Sequence, residues 1–439
     1  MTDPRYLAVK LLDKTFRSGS YSNIQLNAGL DSSDLDDRGK RLCSAIYYGV
    51  IQRRISLDYV IGRLSKRPIE KMDSIVVNIL RAGIYQLGYM DLVPDNAAVN
   101  ESVKLAKKFG KTSAAGMVNA VLRNFIRQEK KIYEGKIDNV KAMSIVYSCP
   151  EELVKSLTND YGKEFAFHFL VHSVEKPVVC LRRNQLRCNA DELQKAMDGI
   201  KLLSGGNPEL PECSQVIEGG DITATKAFKK GYFHVQGMSS QYCCLALAPT
   251  ENDLVLDICA APGGKTFTMA EMMNGKGKIY AFDLHEKRAE LIRKGAERLG
   301  LTNIQAAAGD ATKYNAELPE FTKILCDVPC SGYGVIAKKP EIKYKPLSDF
   351  ARLPEIQYSI AENALCYLAV GGEMVYSTCT VRKAENDEVV ERLLREHPEL
   401  EPVELPELLL RRFGAKATLS PMYGFDDGFF VAKFRKTRR

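Results

Sequence analysis

Five stretches of this 439-residue chain carry residue types that do chemistry, and each closes an apolar run. Cys259-Ala260-Ala261-Pro262-Gly263-Gly264-Lys265 leads straight into a helical stretch. Two glycines there let a ligand approach the backbone, and the free N–H groups at a helix start attract an anion. Asp283 lies 18 residues after Lys265, a spacing that suits a carboxylate accepting hydrogen bonds from ribose hydroxyls. Gly309-Asp310, Asp327-Val328-Pro329-Cys330-Ser331-Gly332 and Ser377-Thr378-Cys379-Thr380 complete the set. Singly, each has a plain explanation: a Gly-Gly turn, a helix cap, a loop aspartate, a cysteine packed as a small hydrophobe. Packing alone does not predict that all five fall at the same edge.

Spacing tests which ligand the glycine turn would hold. A phosphate-binding P-loop needs a glycine five residues before Gly264 of Gly264-Lys265-Thr266, and Cys259 stands there, so the pattern fails by one residue. An NTPase stays the second choice for the ligand, because the Asp327 strand could imitate that family's other motif. The dinucleotide fingerprint G-x-G-x-x-G is absent from the turn. An adenosine-containing ligand with a small anionic end remains, and S-adenosylmethionine fits through its carboxylate. No metal is expected. Cys326 and Cys330 lack a second ligand pair at finger spacing, and His168 and His172 lack the glutamate of H-E-x-x-H.

The elements that must position these residues follow from periodicity. From about residue 236, strand-like runs at 253–258, 277–282, 303–308, 323–327 and 371–377 alternate with helical stretches such as 285–299 and 354–369. That alternation predicts a doubly wound, largely parallel α/β sheet, with ligands outside the carboxyl ends of its strands. Turns at 421–424 and 426–428 before FFVAKF predict a closing antiparallel hairpin. Residues 1–140 are helical throughout: Asp3 can cap a first helix with Pro4 at its first position, and Leu7, Leu11, Leu12 and Phe16 line one face. Residues 141–235 mix short helices with strand-like runs at 177–181 and 232–235, as in a small α+β connector domain.

Composition sets the outer bounds. With 45% hydrophobic and 27% charged residues the chain is neither disordered nor a membrane bundle, and no apolar run reaches the ~18 residues of a spanning helix. The opening MTDPRYLAVK lacks the apolar core of a secretory signal, so a cytoplasmic protein with twelve reduced cysteines is expected. Net charge is +7, and residues 1–140 hold 23 Lys+Arg against 15 Asp+Glu, which is +8 and leaves −1 for the rest. A polyanion such as RNA would be drawn first to that third.

At these motifs the chain resembles the RNA 5-methylcytosine methyltransferases, and specifically the bacterial 16S rRNA methyltransferase B (RsmB/Sun) family. The resemblance spans essentially the whole sequence. It rests on DICAAPGGKT (257–266), FDLHEKR (282–288), GDA (309–311), DVPCSGYGVI (327–336), YSTCT (376–380) and DGFFVAKF (427–434). The first third resembles the helical RNA-binding domain of the antitermination factor NusB. Departures from the family pattern are Tyr333 for a usual threonine, Ala337-Lys338-Lys339-Pro340 for a more basic run, Gly237 for an aspartate and Thr380 for a frequent serine.

The resemblance implies a NusB-like domain over 1–140, a connector over 141–235 and a Rossmann-like S-adenosylmethionine-dependent methyltransferase domain over 236–439. It implies Cys379 as the nucleophile that attacks carbon 6 of a cytosine, and Cys330 as the group that assists release. Asp327, if protonated, would donate to ring nitrogen 3. Residues 259–265 would hold the methionine end of the cofactor, Asp283 the ribose and Asp310 the adenine edge, with Asp327 between cofactor and base. The expected partner is 16S rRNA, naked or in a partly assembled subunit, bound by a monomer. Lys338, Lys339, Lys343 and Lys345 are candidate phosphate contacts. The alternatives are a tRNA or 23S rRNA cytosine methyltransferase and, from another class, a non-catalytic RNA-binding or antitermination factor.

Overall fold

Capping chemistry starts the first helix where the sequence predicts. In the computed structural model, which describes residues 3–18, 22–405 and 414–438, Asp3 accepts a hydrogen bond from the Arg5 N–H at 2.9 Å, and Pro4 opens α1 (Pro4–Ser18). Leu7, Leu11 and Leu12 are buried on one face of α1. Then come α2 (Ser22–Asp31), α3 (Asp37–Gln52), α4 (Arg54–Leu64), α5 (Ser74–Tyr89), α6 (Asp95–Lys108) and α7 (Ala115–Arg127). Asp36 and Asp73 cap α3 and α5 through their side chains. Helix α5 is buried on almost every face, as its apolar sequence requires, and packs Ile79, Leu80 and Ile84 among Ile46 and Val50 of α3 and Leu122 and Phe125 of α7.

The chain forms two compact units, one of residues 1–175 with 336–345 and one of 176–335 with 346–439. Helices α8 (Val140–Val146), α9 (Glu151–Tyr161) and α10 (Lys163–His172) therefore group with the helical unit, although the sequence places them in the connector. The reason is a set of hydrogen bonds onto the start of α4: Ser56 Oγ donates to Ile145 O at 2.6 Å and the Ile55 N–H donates to Ser148 Oγ at 2.9 Å.

Residues 336–345 are the second surprise in this unit. Glu341 accepts from Ser22 Oγ at 2.8 Å, the Tyr344 hydroxyl donates to Ile51 O at 2.8 Å, and the Arg54 guanidinium lies 4.0 Å from the Tyr344 ring. Lys343 is fully buried with its ammonium donating to Gln52 O at 2.7 Å. Burial, with no carboxylate partner among the described residues, pulls its pKa down to about 7. Lys343 is therefore a core group and not a phosphate contact: charge runs in sequence do not reveal which lysine folds inward.

The second unit begins with β1 (Val179–Arg183), α11 (Ala190–Ala196), β2 (Lys201–Ser204), β3 (Cys213–Glu218), α12 (Lys226–Lys229) and β4 (Phe233–Val235). These strands form an antiparallel sheet in the order β2-β3-β1-β4. The sequence indicates β1 and β4 but passes over β2, whose residues are largely exposed, and β3, which is buried only at its first two positions.

Next come α13 (Met238–Leu247), β5 (Leu254–Asp257), α14 (Gly264–Met272), β6 (Lys278–Asp283), α15 (Glu286–Leu299), β7 (Ile304–Ala308) and β8 (Phe321–Asp327). They are followed by α16 (Leu353–Cys366), β9 (Leu368–Thr378), α17 (Asp387–Glu396), β10 (Leu400–Pro402), β11 (Lys416–Leu419) and β12 (Phe429–Lys436). The sheet order is β10-β12-β9-β8-β5-β6-β7, with β11 on β12. Strands β7, β6, β5, β8 and β9 are mutually parallel, and β12 runs antiparallel to β9. The chain winds outward from β5 to β7 and then returns to β5's other side as β8. That reversal opens a crevice at the carboxyl ends of β5 and β8, where open α/β sheets bind ligands. The expected closing hairpin is present as β11–β12. No helix among the described residues is long and apolar enough to cross a membrane.

Candidate active site

Sheet register brings the two distant cysteines together. Asp327 of β8 lies opposite Ser377 of β9, so Cys330, three residues further, and Cys379, two residues further, leave the sheet side by side. Their sulfurs are 3.0 Å apart. The Cys379 sulfur first, and burial second, push the Cys330 thiol well above its usual range. Either sulfur can donate across this contact, and a proton on Cys330 favours the anion on Cys379.

Both loops are pinned. Ser331 and Thr380 share a hydroxyl hydrogen bond at 2.8 Å, and the Gly334 N–H donates to Cys379 O at 3.0 Å. The Gly428 N–H in turn donates to Gly334 O at 2.8 Å. A Cβ on Gly334 would sit 1.8 Å from Gly428 O, so only glycine permits this three-way approach of backbone. Thr380 supplies the hydroxyl that a serine would have supplied. Tyr333 is almost fully buried with its ring edge-on to Phe350, a packing role.

Asp327 accepts from Ser377 Oγ at 2.9 Å and from Lys265 Nζ at 2.6 Å. Burial opposes the Lys265 charge, but the Asp327 carboxylate outweighs it and holds the lysine protonated well above its usual range. Lys265 also lies 4.8 Å from the Phe429 ring centre. Its head group thus belongs to the Asp327 site, while its main chain belongs to the glycine turn.

The turn has the form expected for a ligand cradle. Gly263 adopts φ 109° at the start of α14 with no side chain capping the helix, so its first N–H groups are not capped from within. A Cβ on Gly263 would meet Phe267 at 2.4 Å, whereas one on Gly264 would meet nothing nearer than 3.9 Å. The Gly263 N–H donates to Ala260 O at 2.8 Å, and the Ala260 N–H donates to Phe282 O at 2.7 Å, fixing the turn against β6. Ala261 precedes Pro262 and offers its carbonyl to Arg288 at 2.9 Å. Burial pushes the Cys259 thiol far up.

Asp283 is buried at the end of β6, bonded by the His285 N–H at 3.2 Å and paired with Arg288 at 2.8 Å. A carboxylate has about four acceptor sites, so capacity for hydroxyls remains. Asp310 accepts from the Thr312 hydroxyl at 2.7 Å and pairs with Lys313 at 3.1 Å. These bonds hold its carboxyl down at about 2. Asp310 borders a cavity of about 230 Å³ whose lining includes Phe282, Gly309, Asn315 and Tyr367.

Sequence reasoning missed two site residues. Asp257 ends β5 directly before the turn, accepts from Thr266 Oγ1 at 2.6 Å and is pushed up to about 7 by burial. Its position as the last residue of the strand was the available signal. Glu385 is fully buried and bonds the Ser331 N–H at 2.8 Å. Nothing in its neighbourhood of the sequence sets it apart.

A doubly wound parallel sheet with an antiparallel strand inserted beside β9, and a glycine turn after its central strand, is the architecture of Rossmann-like methyltransferases. The model of the 16S rRNA methyltransferase RsmB/F family matches residues 244–435, and that of the NusB family matches residues 2–127. The chain is 38% identical to the probable ribosomal RNA small subunit methyltransferase B of Bacillus subtilis (strain 168), over 99% of each chain. The chain belongs to the ribosomal RNA small subunit methyltransferase B family. The crystal structure of PH0851 shares its fold, with a TM-score of 0.80 over 99% of both chains at 22% identity. NSun6 from Pyrococcus horikoshii, solved with SFG, matches with a TM-score of 0.59 at 24% identity over 66% of this chain and 99% of that one.

Proposed function

We propose that this protein transfers a methyl group from S-adenosylmethionine to carbon 5 of a cytosine in 16S rRNA, through a transient bond between Cys379 and the base. The observation that carries the reading is the 3.0 Å contact of Cys330 and Cys379 beside Asp327. The residues at the turn fit the cofactor: the uncapped start of α14 suits a carboxylate, Asp283 suits ribose hydroxyls, and the small cavity beside Asp310 suits an adenine. When bound, S-adenosylmethionine supplies an electrophilic methyl group on sulfonium.

Carbon 5 of cytosine is too weak a nucleophile to take that methyl unaided. The Cys379 thiolate, favoured by the Cys330 S–H, adds to carbon 6 and makes carbon 5 part of an enamine. Nitrogen 3 takes a proton in that step. The Asp327–Lys265 pair holds one on Lys265, and transfer along their 2.6 Å bond lets Asp327 deliver it. Once carbon 5 carries the methyl group, its proton must leave and the bond to Cys379 must break. Cys330 assists that release through a water that takes the carbon 5 proton, its own thiol staying protonated. A stacked cytosine would have to swing out of its helix to reach Cys379. The basic helical unit is the RNA-binding part.

A 5-fluorocytosine-substituted 16S rRNA tests the mechanism, because fluorine cannot leave carbon 5 as a proton does and the adduct persists. Wild-type protein with cofactor should give a covalent RNA–protein band on a denaturing gel. Bisulfite sequencing of rRNA from cells with and without the gene should show one missing methylcytosine in 16S rRNA. A loss in tRNA or 23S rRNA instead would reassign the substrate.

A further inference from the structure

Glu385 has no part in the reaction above, yet it is fully buried on a short helical turn just after the Cys379 loop. Its Oε2 accepts from the Ser331 N–H at 2.8 Å and from Gln357 Nε2 at 3.1 Å, and its Oε1 pairs with Arg382 at 2.9 Å. The same Gln357 amide donates to Pro329 O at 2.9 Å. One carboxylate therefore ties down both neighbours of Cys330, Ser331 directly and Pro329 through Gln357. Its own main-chain carbonyl accepts from Tyr376 OH at 2.6 Å, which anchors the turn to β9.

Holding two loops together does not by itself need a charge. A glutamine could accept from Ser331 with its amide oxygen, and burying a carboxylate is costly unless it is paired and hydrogen-bonded. What a glutamine cannot do is oppose a second anion nearby. Glu385 is among the groups that raise the Cys330 thiol, after Cys379 and burial. We propose that Glu385, balanced by Arg382, is the positioning residue of the thiol pair: it fixes the Cys330 loop against the Cys379 loop and keeps the proton on Cys330, so that Cys379 is the sulfur that ionises. This rests on Cys379 being the nucleophile.

The test is alkylation of the full-length protein by iodoacetamide across a pH series, with each cysteine resolved by peptide mass spectrometry. Glu385→Gln keeps the shape and leaves Arg382 unbalanced, so the Cys330 alkylation midpoint should fall by about one pH unit or more, a tenfold gain in thiolate at fixed pH. Methylation kcat should fall at least about tenfold while KM for S-adenosylmethionine holds, the pattern of a group that acts on the chemical step. Arg382→Met removes the balancing charge and should move the Cys330 midpoint upward. A Cys330 curve that superimposes on wild type in either variant overturns the proposal, and the second variant decides the matter if the first does not fold. The underlying reading fails separately: it falls if Cys379→Ala still traps 5-fluorocytosine RNA, whereas wild-type trapping with an unmoved Cys330 curve defeats only the role of Glu385.

Discussion

Cys243 and Cys244 are adjacent in the chain, and Cys330 and Cys379 are 49 residues apart, yet only the distant pair meets. On α13 the adjacent thiols point to different carbonyls, Cys243 to Ser239 O at 3.4 Å and Cys244 to Ser240 O at 3.7 Å. Both are fully buried, and burial pushes Cys244 up to about 12. The distant pair leaves two parallel strands at matched register and is only partly buried. Neighbours on a helix diverge by about 100°, whereas the ends of paired parallel strands converge. Contact between these thiols therefore follows strand register, not adjacency in the chain.

The buried lysines repeat the lesson. Lys265 has a carboxylate partner and is held protonated, while Lys343 has a carbonyl and the Tyr344 ring, with no carboxylate partner among the described residues, and is driven towards neutrality. A buried cation persists where an anion meets it.

Four variants test this contrast. Cys379→Ala should abolish both methyl transfer and trapping of 5-fluorocytosine RNA, a loss of at least about a thousandfold in kcat. Trapping at the wild-type level would remove Cys379 from the mechanism. Cys330→Ala should still attack the base but release it slowly, so that an RNA-linked band builds up on a denaturing gel with ordinary substrate. No such band would strip Cys330 of its part in release.

Lys343→Met should affect stability more than catalysis. The folded protein binds the Lys343 proton less tightly than the unfolded chain does, since its pKa is lowered from 10.5 to about 7. Wild-type stability from this group is therefore lowest below pH 7 and rises between about pH 7 and pH 10.5 as the unfolded chain alone stays protonated. Melting curves across that range should show a shallower rise for the variant and a Tm a few degrees higher at pH 7. An identical pH dependence in the two proteins would mean that Lys343 does not titrate low. The smallest effect belongs to Cys244→Ala, which should methylate at the wild-type rate and lose about 1 kcal/mol of stability in denaturant melts. A thousandfold loss of activity there would erase the distinction between the two thiol pairs.

Much of the frame was legible because the signals are local. Alternating apolar runs located β5 to β9, a glycine pair marked the start of α14, and Asp3-Pro4 marked that of α1. Strand β2 left no trace because its residues are largely exposed. Grouping 141–175 with the small sheet rests on the local mix of short helical and strand-like runs, while the hydrogen bonds of Ser56 and Ile55 tie that segment to the helical unit.

Which residues stand at the strand ends is a local matter, since period and turn chemistry are properties of a few consecutive residues. Which of them touch is settled by packing across the fold: the sulfur pair, the Lys265–Asp327 bond, the inward turn of Lys343 and the carboxylate of Glu385 beneath Cys330. Those contacts join residues far apart in the chain. Their geometry is set by strand register and by the cost of leaving a buried charge or donor unpaired, and neither is written in any short stretch of residues.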